Sequence, residues 1–222
     1  MKLFNYRKPY DKDSLSIDEI GDNPIDFFKK WFKEAESSDQ IIESNAMTVS
    51  TVGVNNNPSS RVVLLKEIKD NSLIFFTNYK SKKGKEIDEN PNICASFYWA
   101  PLERQVVFKG VAKKTSESYS DTYFKSRPFS SQVGAIVSAQ SEIISSYDDL
   151  LTKYDNFLKE NKNLDLKRPS HWGGVELVIR EIEFWQGREN RLHNRVISSL
   201  SAGSWVHNIC LLYTSDAADE CS

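Results

Sequence analysis

Apolar residues recur at helical spacing near the start of the chain and at alternating spacing through most of the remainder. Phe27, Phe28, Trp31, Phe32 and Ala35 fall on one face of a helix that Asn23 can cap and Pro24 can open, and this aromatic stripe is expected to be core. The pattern then changes to strand. AMTVSTVGV, RVVLLKEI and SLIFFTN are separated by the turn-forming NNNPSS and KDN, as in a meander. SKKGKEIDENP reads as a short helix that stops before Pro91, and NICASFYW and RQVVFKGVAKK read as two further strands. In the last of these Val106, Phe108, Gly110 and Ala112 alternate with Gln105, Val107, Lys109 and Val111; both sets are partly apolar, so the strand is expected to be covered on both faces.

Three helical segments come next, SESYSDTYFKSRP, SSQVGAIVS and the polar SYDDLLTKYDNFLKENK, before the chain returns to strand at GGVELVIREIEFWQG. There Val175, Leu177 and Ile179 share one phase, while Ile182 and Phe184 sit in the other, which predicts a β-bulge near Arg180 or Glu181. No internal repeat or low-complexity linker interrupts the chain. The expected architecture is α+β, a β-barrel with peripheral helices, with an N-terminal segment over 1–22, one domain over 23–209 and a tail over 210–222.

Composition narrows the function classes. With 39% hydrophobic and 27% charged residues the sequence belongs with soluble globular proteins, and 222 residues can bury about 70% of the surface an unfolded chain exposes. Lys plus Arg number 29 against 31 Asp plus Glu, so no global field recruits nucleic acid or a membrane, and any anion site must be local. MKLFNYRKPYDKD has no signal-peptide stretch and no apolar run reaches about 18 residues, from which a cytoplasmic location is expected. Cys94, Cys210 and Cys221 form no CxxC pair, and His171, His193 and His207 have no metal-ligand spacing, so neither a structural disulfide nor a metal is expected. The end of the chain breaks composition: no Lys or Arg follows Arg195, and CLLYTSDAADE resembles a translated sequencing adapter. Cys210 to Ser222 is therefore expected to be a non-native tail, without which the formal charge changes from −2 to +1.

Four places concentrate donors for an anion. RVVLLK puts Arg61 and Lys66 at opposite ends of an apolar strand, on opposite faces unless it twists. Ser81, Lys82 and Lys83 open a helix, where free N–H groups and the dipole favour negative charge. Tyr123, Arg127 and Ser131, at spacing four, would align on a continuous helix, although Pro128 interrupts it. FWQGRENRLHNR crowds Arg188, Arg191, His193 and Arg195 behind Trp185, whose ring offers a flat wall. Each place alone is also what a solvated face looks like.

Together, RVVLLK, FFTNYKSKKGKEIDENP, LERQVVFKGVA, YFKSRPFSSQVGAIVSAQS, HWGG and EFWQGRENRLHNR resemble, in that order, the motifs of the pyridoxamine (pyridoxine) 5′-phosphate oxidase family, over roughly Tyr6 to Trp205. The resemblance implies an FMN-binding split β-barrel and a homodimer with shared active sites. The implied reaction is oxidation of pyridoxamine 5′-phosphate or pyridoxine 5′-phosphate by O2 to pyridoxal 5′-phosphate, with H2O2 and, from the amine, ammonia. Carried over by position, it implies FMN contacts from Arg61, Val62, Val63, Leu64, Leu65, Lys66, Phe76, Thr77, Lys82, Lys83, Gln105, Gln140, Ser141, Trp185 and Arg195. Lys66, Tyr123, Arg127 and Ser131 would hold the substrate phosphate, Arg191 and His193 would face the pyridine ring as the catalytic pair, and Arg7, Lys8, Pro9 and Tyr10 would close over the substrate. Two features depart from the pattern: Lys82 stands where an arginine is common, and the family's Arg-Leu-x-Pro ending is missing. The competing classes are a flavin- or haem-binding split barrel without oxidase activity, a pyridoxal phosphate carrier, and an oligonucleotide binder using the aromatic and basic loops.

Overall fold

The computed structural model describes residues 1–5, 9–162 and 164–210; Arg7 and Lys8 of the expected substrate-closing segment, and 211–222 of the expected tail, lie outside these. In chain order the elements are α1 (Pro24–Glu36), β1 (Ala46–Val52), β2 (Pro58–Leu64), β3 (Glu67–Lys69), β4 (Ser72–Asn78), α2 (Lys82–Glu89), β5 (Asn92–Trp99), β6 (Arg104–Lys114), α3 (Glu117–Ser126), α4 (Phe129–Val137), α5 (Tyr147–Glu160), β7 (Trp172–Gln186), β8 (Asn194–Ser201) and β9 (Ser204–Ile209). Hydrogen-bonded neighbours among the described strands run in the order β2-β1-β5-β6-β7-β4-β3, with β8 beside β7 and β9 beside β8. The β3–β4, β4–β7, β7–β8 and β8–β9 pairs are antiparallel. The expected α+β class is thus observed, and among the described residues no helix is long and apolar enough to cross a membrane.

The chain divides into two compact units. The first comprises Met1–Thr48, Cys94–Lys109 and the described residues from Ile179 onward. Its core is built on α1, which begins as the sequence predicts, with the Asn23 side chain accepting from Ile25 N and Pro24 in the first turn. Phe27, Phe28, Trp31 and Ala35 are buried. Phe28 meets Phe108 edge-on at 4.7 Å, and Phe27 meets Phe184 at 5.1 Å. The buried Arg104 is held on several sides: its Nε donates to Gln186 Oε1 at 2.9 Å, Nη2 to Asp13 at 2.6 Å and Nη1 to Glu34, and its guanidinium lies 4.5 Å from the Trp31 ring centre. Partners on several sides offset the desolvation cost of this buried charge.

The second unit comprises Val49–Ile93 and Gly110–Val178. Its β4 is buried at every position but Phe76, and pairs with β7 from Ser72 opposite Val178 to Asn78 opposite Trp172. Phe124, Val133, Leu166 and Trp172 form a satellite core under α5, which supplies Tyr154, Phe157 and Leu158.

Two expectations need correction. RVVLLKEI is not one strand: β2 ends at Leu64, Leu65 is buried, Lys66 N donates to Ile74 O at 2.8 Å, and β3 begins only at Glu67. On β6 the Val106, Phe108, Gly110 and Ala112 face is buried, but its other face is only partly covered, because Lys109 stays in solvent and pairs with Glu181 at 2.7 Å. The phase change in β7 falls where predicted: Val175, Leu177 and Ile179 are buried, Arg180 is exposed, and burial resumes at Ile182 and Phe184.

Candidate active site

A cavity of about 600 Å³ opens in the second unit, a size typical of small-molecule sites. Five cations line it, Arg61, Lys66, Lys82, Lys83 and Arg127, and no carboxylate is among its lining residues. Arg61 is fixed by groups of its own unit: Nη1 donates to Thr51 Oγ1 at 2.6 Å and Val49 O at 3.3 Å, while Nη2 reaches Ser59 Oγ at 2.5 Å and Glu86 Oε2 at 3.3 Å. Glu86 is buried on α2. Burial pushes its carboxyl up, but hydrogen bonds from Ser59 and Thr51 and the charges of Arg61 and Lys82 outweigh that and hold it below the ordinary value.

The start of α2 supplies the next part of the wall. Ser81 caps it by accepting from Gly84 N at 3.3 Å, so the first-turn N–H groups and the positive dipole end stand beside Lys82 and Lys83. This turn is possible because residue 84 is glycine; a Cβ there would lie 2.1 Å from Tyr79 O. Lys83 is buried, its ammonium donating to Thr77 Oγ1 at 3.0 Å, and burial first, then the Arg61 charge, brings its pKa down to about 8.

The facing wall comes from α3 and β7. Helix α3 ends at Ser126, and Arg127 takes an extended conformation ahead of Pro128, so Tyr123 and Arg127 both line the cavity although the helix does not continue. Phe76 stacks on Tyr123 at 3.7 Å and on Trp172 at 5.5 Å, and the Arg127 guanidinium lies 4.7 Å from the Trp172 ring centre. Burial raises the Tyr123 hydroxyl and lowers Arg127 from their ordinary values. Arg127 Nη1 is buried with no hydrogen-bond partner, an arrangement that asks for an oxyanion. The donor set as a whole fits a phosphate-bearing ligand. Gln140 accepts from Thr77 Oγ1 and Asn78 N, both at 3.4 Å, and Ser141 holds a left-handed φ of 75°.

Of the residues the sequence singles out, Arg61, Val62, Val63, Leu64, Lys66, Phe76, Thr77, Lys82, Lys83, Tyr123, Arg127, Gln140 and Ser141 therefore line one cavity. Leu65, buried, and Ser131, half-buried on α4, are not among its lining residues. Asn78 and Trp172 are, and sequence reasoning missed both. HWGG stands out as a block, yet nothing in its spacing assigns the Trp a role.

The first unit gathers a second group. Tyr10 packs edge-on against Trp185 at 5.8 Å and His193 at 5.4 Å, and Trp185 and His193 lie 4.8 Å apart. His193 Nδ1 accepts from Arg188 N at 3.0 Å, which puts the proton of the neutral ring on Nε2. Burial, then the Arg191 charge, lowers the His193 pKa. Asn190 and Arg191 reverse the chain in left-handed conformation, at φ 54° and 59°. Arg195 pairs with Glu183 at 2.7 Å, which raises its pKa, and its Nε is buried without a partner. Gln105 is half-buried on β6, and Pro9 is exposed.

Residues 34–154 match the family model described as pyridoxamine 5′-phosphate oxidase, and residues 172–209 match that of the pyridoxine 5′-phosphate oxidase C-terminal dimerisation region. A pyridoxine/pyridoxamine 5′-phosphate oxidase of Flavobacterium johnsoniae is 50% identical over 205 residues, covering 92% of this chain and 96% of the relative. One of Trichormus variabilis is 46% identical over 209 residues, covering 93% and 97%. Among solved structures, PhzG from Burkholderia lata, in complex with tetrahydrophenazine-1-carboxylic acid, superposes with a TM-score of 0.84 at 26% identity, covering 90% of this chain and 98% of that one. A pyridoxamine 5′-phosphate oxidase-related, FMN binding protein of Nostoc punctiforme shares the fold at a TM-score of 0.68 and 11% identity, covering 86% and 98%. With its split β-barrel fold and a cation-lined cavity, the chain belongs to the pyridoxamine 5′-phosphate oxidase family and is an oxidase.

Proposed function

We propose that the protein oxidises pyridoxamine 5′-phosphate or pyridoxine 5′-phosphate with O2 to pyridoxal 5′-phosphate, releasing H2O2 and, from the amine, ammonia, with FMN as cofactor and as a homodimer whose active sites are shared between chains. The observation that carries this reading is the cavity itself: five converging cations without a lining carboxylate, one of them with a buried, unbonded Nη1. FMN is supported by the likeness of fold to the Nostoc FMN binding protein, and the homodimer by the match to a dimerisation region.

Arg61, Lys82, Lys83 and the N–H groups opening α2 hold the FMN phosphate, with Val62, Val63, Leu64, Leu65, Phe76, Thr77, Gln105, Gln140, Ser141, Trp185 and Arg195 around the remainder. Bound FMN supplies the two-electron acceptor, which O2 regenerates. Lys66, Tyr123, Arg127 and Ser131 take the substrate phosphate, and Arg7, Lys8, Pro9 and Tyr10 close over the substrate. Arg191 and His193 orient the pyridine ring. His193 enters neutral near pH 7, since its pKa lies below the ordinary value, and its Nδ1 is engaged by Arg188 N, so it offers Nε2–H as a donor. The protein's contribution is orientation and electrostatics, and no side chain is assigned as a general base.

The purified protein should be yellow, should bleach when pyridoxamine 5′-phosphate is added without oxygen, and should recover with release of H2O2 on aeration; sedimentation should give a dimer. Arg127→Ala should raise KM for the phosphorylated substrate about tenfold or more, since one charge-assisted bond contributes about 1.5–3 kcal/mol. A protein that takes up FMN but does not bleach with either substrate would sink the reaction. An unchanged KM would remove Arg127 from the phosphate site.

A further inference from the structure

We infer that Trp172 is a further specificity-determining residue, which acts through Arg127 to select the phosphorylated substrate. The inference rests on the proposed function, in which Arg127 takes the substrate phosphate.

Four other partly or wholly buried arginines of this fold are paired with carboxylates. Arg104 is paired with Asp13 and Glu34, Arg168 with Asp121, Arg195 with Glu183 and Arg61 with Glu86. Arg127 differs. Among the described residues no carboxylate pairs with it, and its guanidinium instead lies 4.7 Å from the centre of the Trp172 ring. A carboxylate satisfies a guanidinium at its edge, with the same donors that a phosphate would use. An indole satisfies it at its face and leaves the edge free. Trp172 therefore keeps a cation at the cavity wall without a competitor for the incoming oxyanion, which accounts for a buried Nη1 that no protein atom bonds.

Trp172 is well placed for this. It is 7% exposed and opens β7, where its N donates to Pro169 O at 3.0 Å and its O accepts from Arg168 Nη1 at 2.6 Å. Its ring runs parallel to those of Phe76 and Tyr123, at interplanar angles of 18° and 5°. These plates lower the local dielectric, which strengthens both the cation–ring attraction and the later attraction of guanidinium to phosphate. The same burial lowers the Arg127 pKa, a tendency the neighbouring Tyr123 opposes.

The test measures binding to the flavin-containing protein by calorimetry, with 4-deoxypyridoxine 5′-phosphate, which lacks the oxidisable 4′ heteroatom, and with unphosphorylated 4-deoxypyridoxine. Trp172→Leu should weaken binding of the phosphorylated ligand about tenfold and Trp172→Phe, which keeps a smaller ring in the satellite core, about threefold. Neither should change binding of the unphosphorylated ligand by more than about twofold, by the same reasoning. In an Arg127→Ala background Trp172→Phe should have no further effect. Equal losses for both ligands, or an undiminished effect of Trp172→Phe without Arg127, would show a merely structural role and overturn the inference. If Arg127→Ala alone left phosphorylated binding unchanged, the assignment of the phosphate site would fail first and take this inference with it.

Discussion

Replacing Lys83 with methionine should remove two opposing pH dependences at once. In the protein without ligand the Lys83 ammonium is buried, bonded to the hydroxyls of Thr77 and Ser81 and faced by the Arg61 charge, and its pKa falls from 10.5 to about 8. Below pH 8 the folded and unfolded states both hold the proton, and the folded state carries the whole penalty, about 3 kcal/mol for a shift of this size. Between pH 8 and 10.5 the unfolded chain binds a proton that the folded one has released, so stability rises with pH, by about 2 kcal/mol from pH 7.5 to 9.5. Phosphate binding runs the other way. A phosphate dianion needs the charged ammonium and raises its pKa, so FMN affinity should fall about twentyfold over the same interval. The assays are urea unfolding of the flavin-free protein and FMN titration by flavin fluorescence, each at pH 7.5, 8.5 and 9.5 for wild type and Lys83→Met. Other groups titrate here too, so the quantity that matters is the difference between the two proteins. Methionine should give an advantage in flavin-free stability that shrinks as pH rises, and an FMN affinity that is weaker at pH 7.5 but nearly flat. Parallel pH profiles for the two proteins, in either assay, would refute the placement of a buried ammonium at the phosphate.

Arg191→Leu should move the His193 titration upward, read from its ring protons by NMR, because one of the two causes that lower it is removed. Since a depressed histidine penalises the folded state on acidification, the same change should also lessen the stability lost as pH drops below about 6.5; an unmoved titration would mean that burial alone sets it. Gly84→Ala should weaken FMN binding and lower stability by about 1–3 kcal/mol, as overpacking against rigid groups does, because the new Cβ would meet the Tyr79 carbonyl at 2.1 Å. Full flavin content in that variant at an unchanged melting temperature would show that the opening turn of α2 can shift freely.

How much of the fold and the site was legible in the sequence depends on how local each signal is. Helix α1 was readable because its cap, its proline and its apolar period lie in one short stretch, and β7's change of phase because burial alternates along a single strand. Arg61 and Lys66 illustrate the opposite case. An unbroken RVVLLK strand would send them to opposite faces, yet both line the cavity, because β2 stops at Leu64 and Lys66 N turns to bond Ile74 O. That break is decided by pairing with β4, which no residue within the segment announces. The spacing of Tyr123 and Arg127 led to the cavity for a different reason from the one it suggested: Arg127 reaches it as an extended residue after the helix ends, and Ser131, a turn into the next helix, is not among the lining residues. Trp172 lies in the HWGG block, but nothing local assigns it a role, since that role depends on a guanidinium far away in sequence.

The cavity also poses a physical problem, because converging cations repel one another and resist burial. The fold answers it differently at three of these cations. Arg61 is countered by Glu86, a buried carboxylate that is not among the lining residues. Lys83 releases its proton more readily, and Arg127 is covered by an indole. In each case the compensation leaves the cavity side free of negative charge, so a phosphate that enters meets no competitor. What is left unsatisfied in the free protein, a depressed ammonium and an unbonded Nη1, becomes favourable interaction only when an anion arrives. The site thus gives up some stability of the ligand-free fold for affinity, and the folded state should be stabilised by phosphate-bearing ligands in proportion to the logarithm of their concentration over Kd.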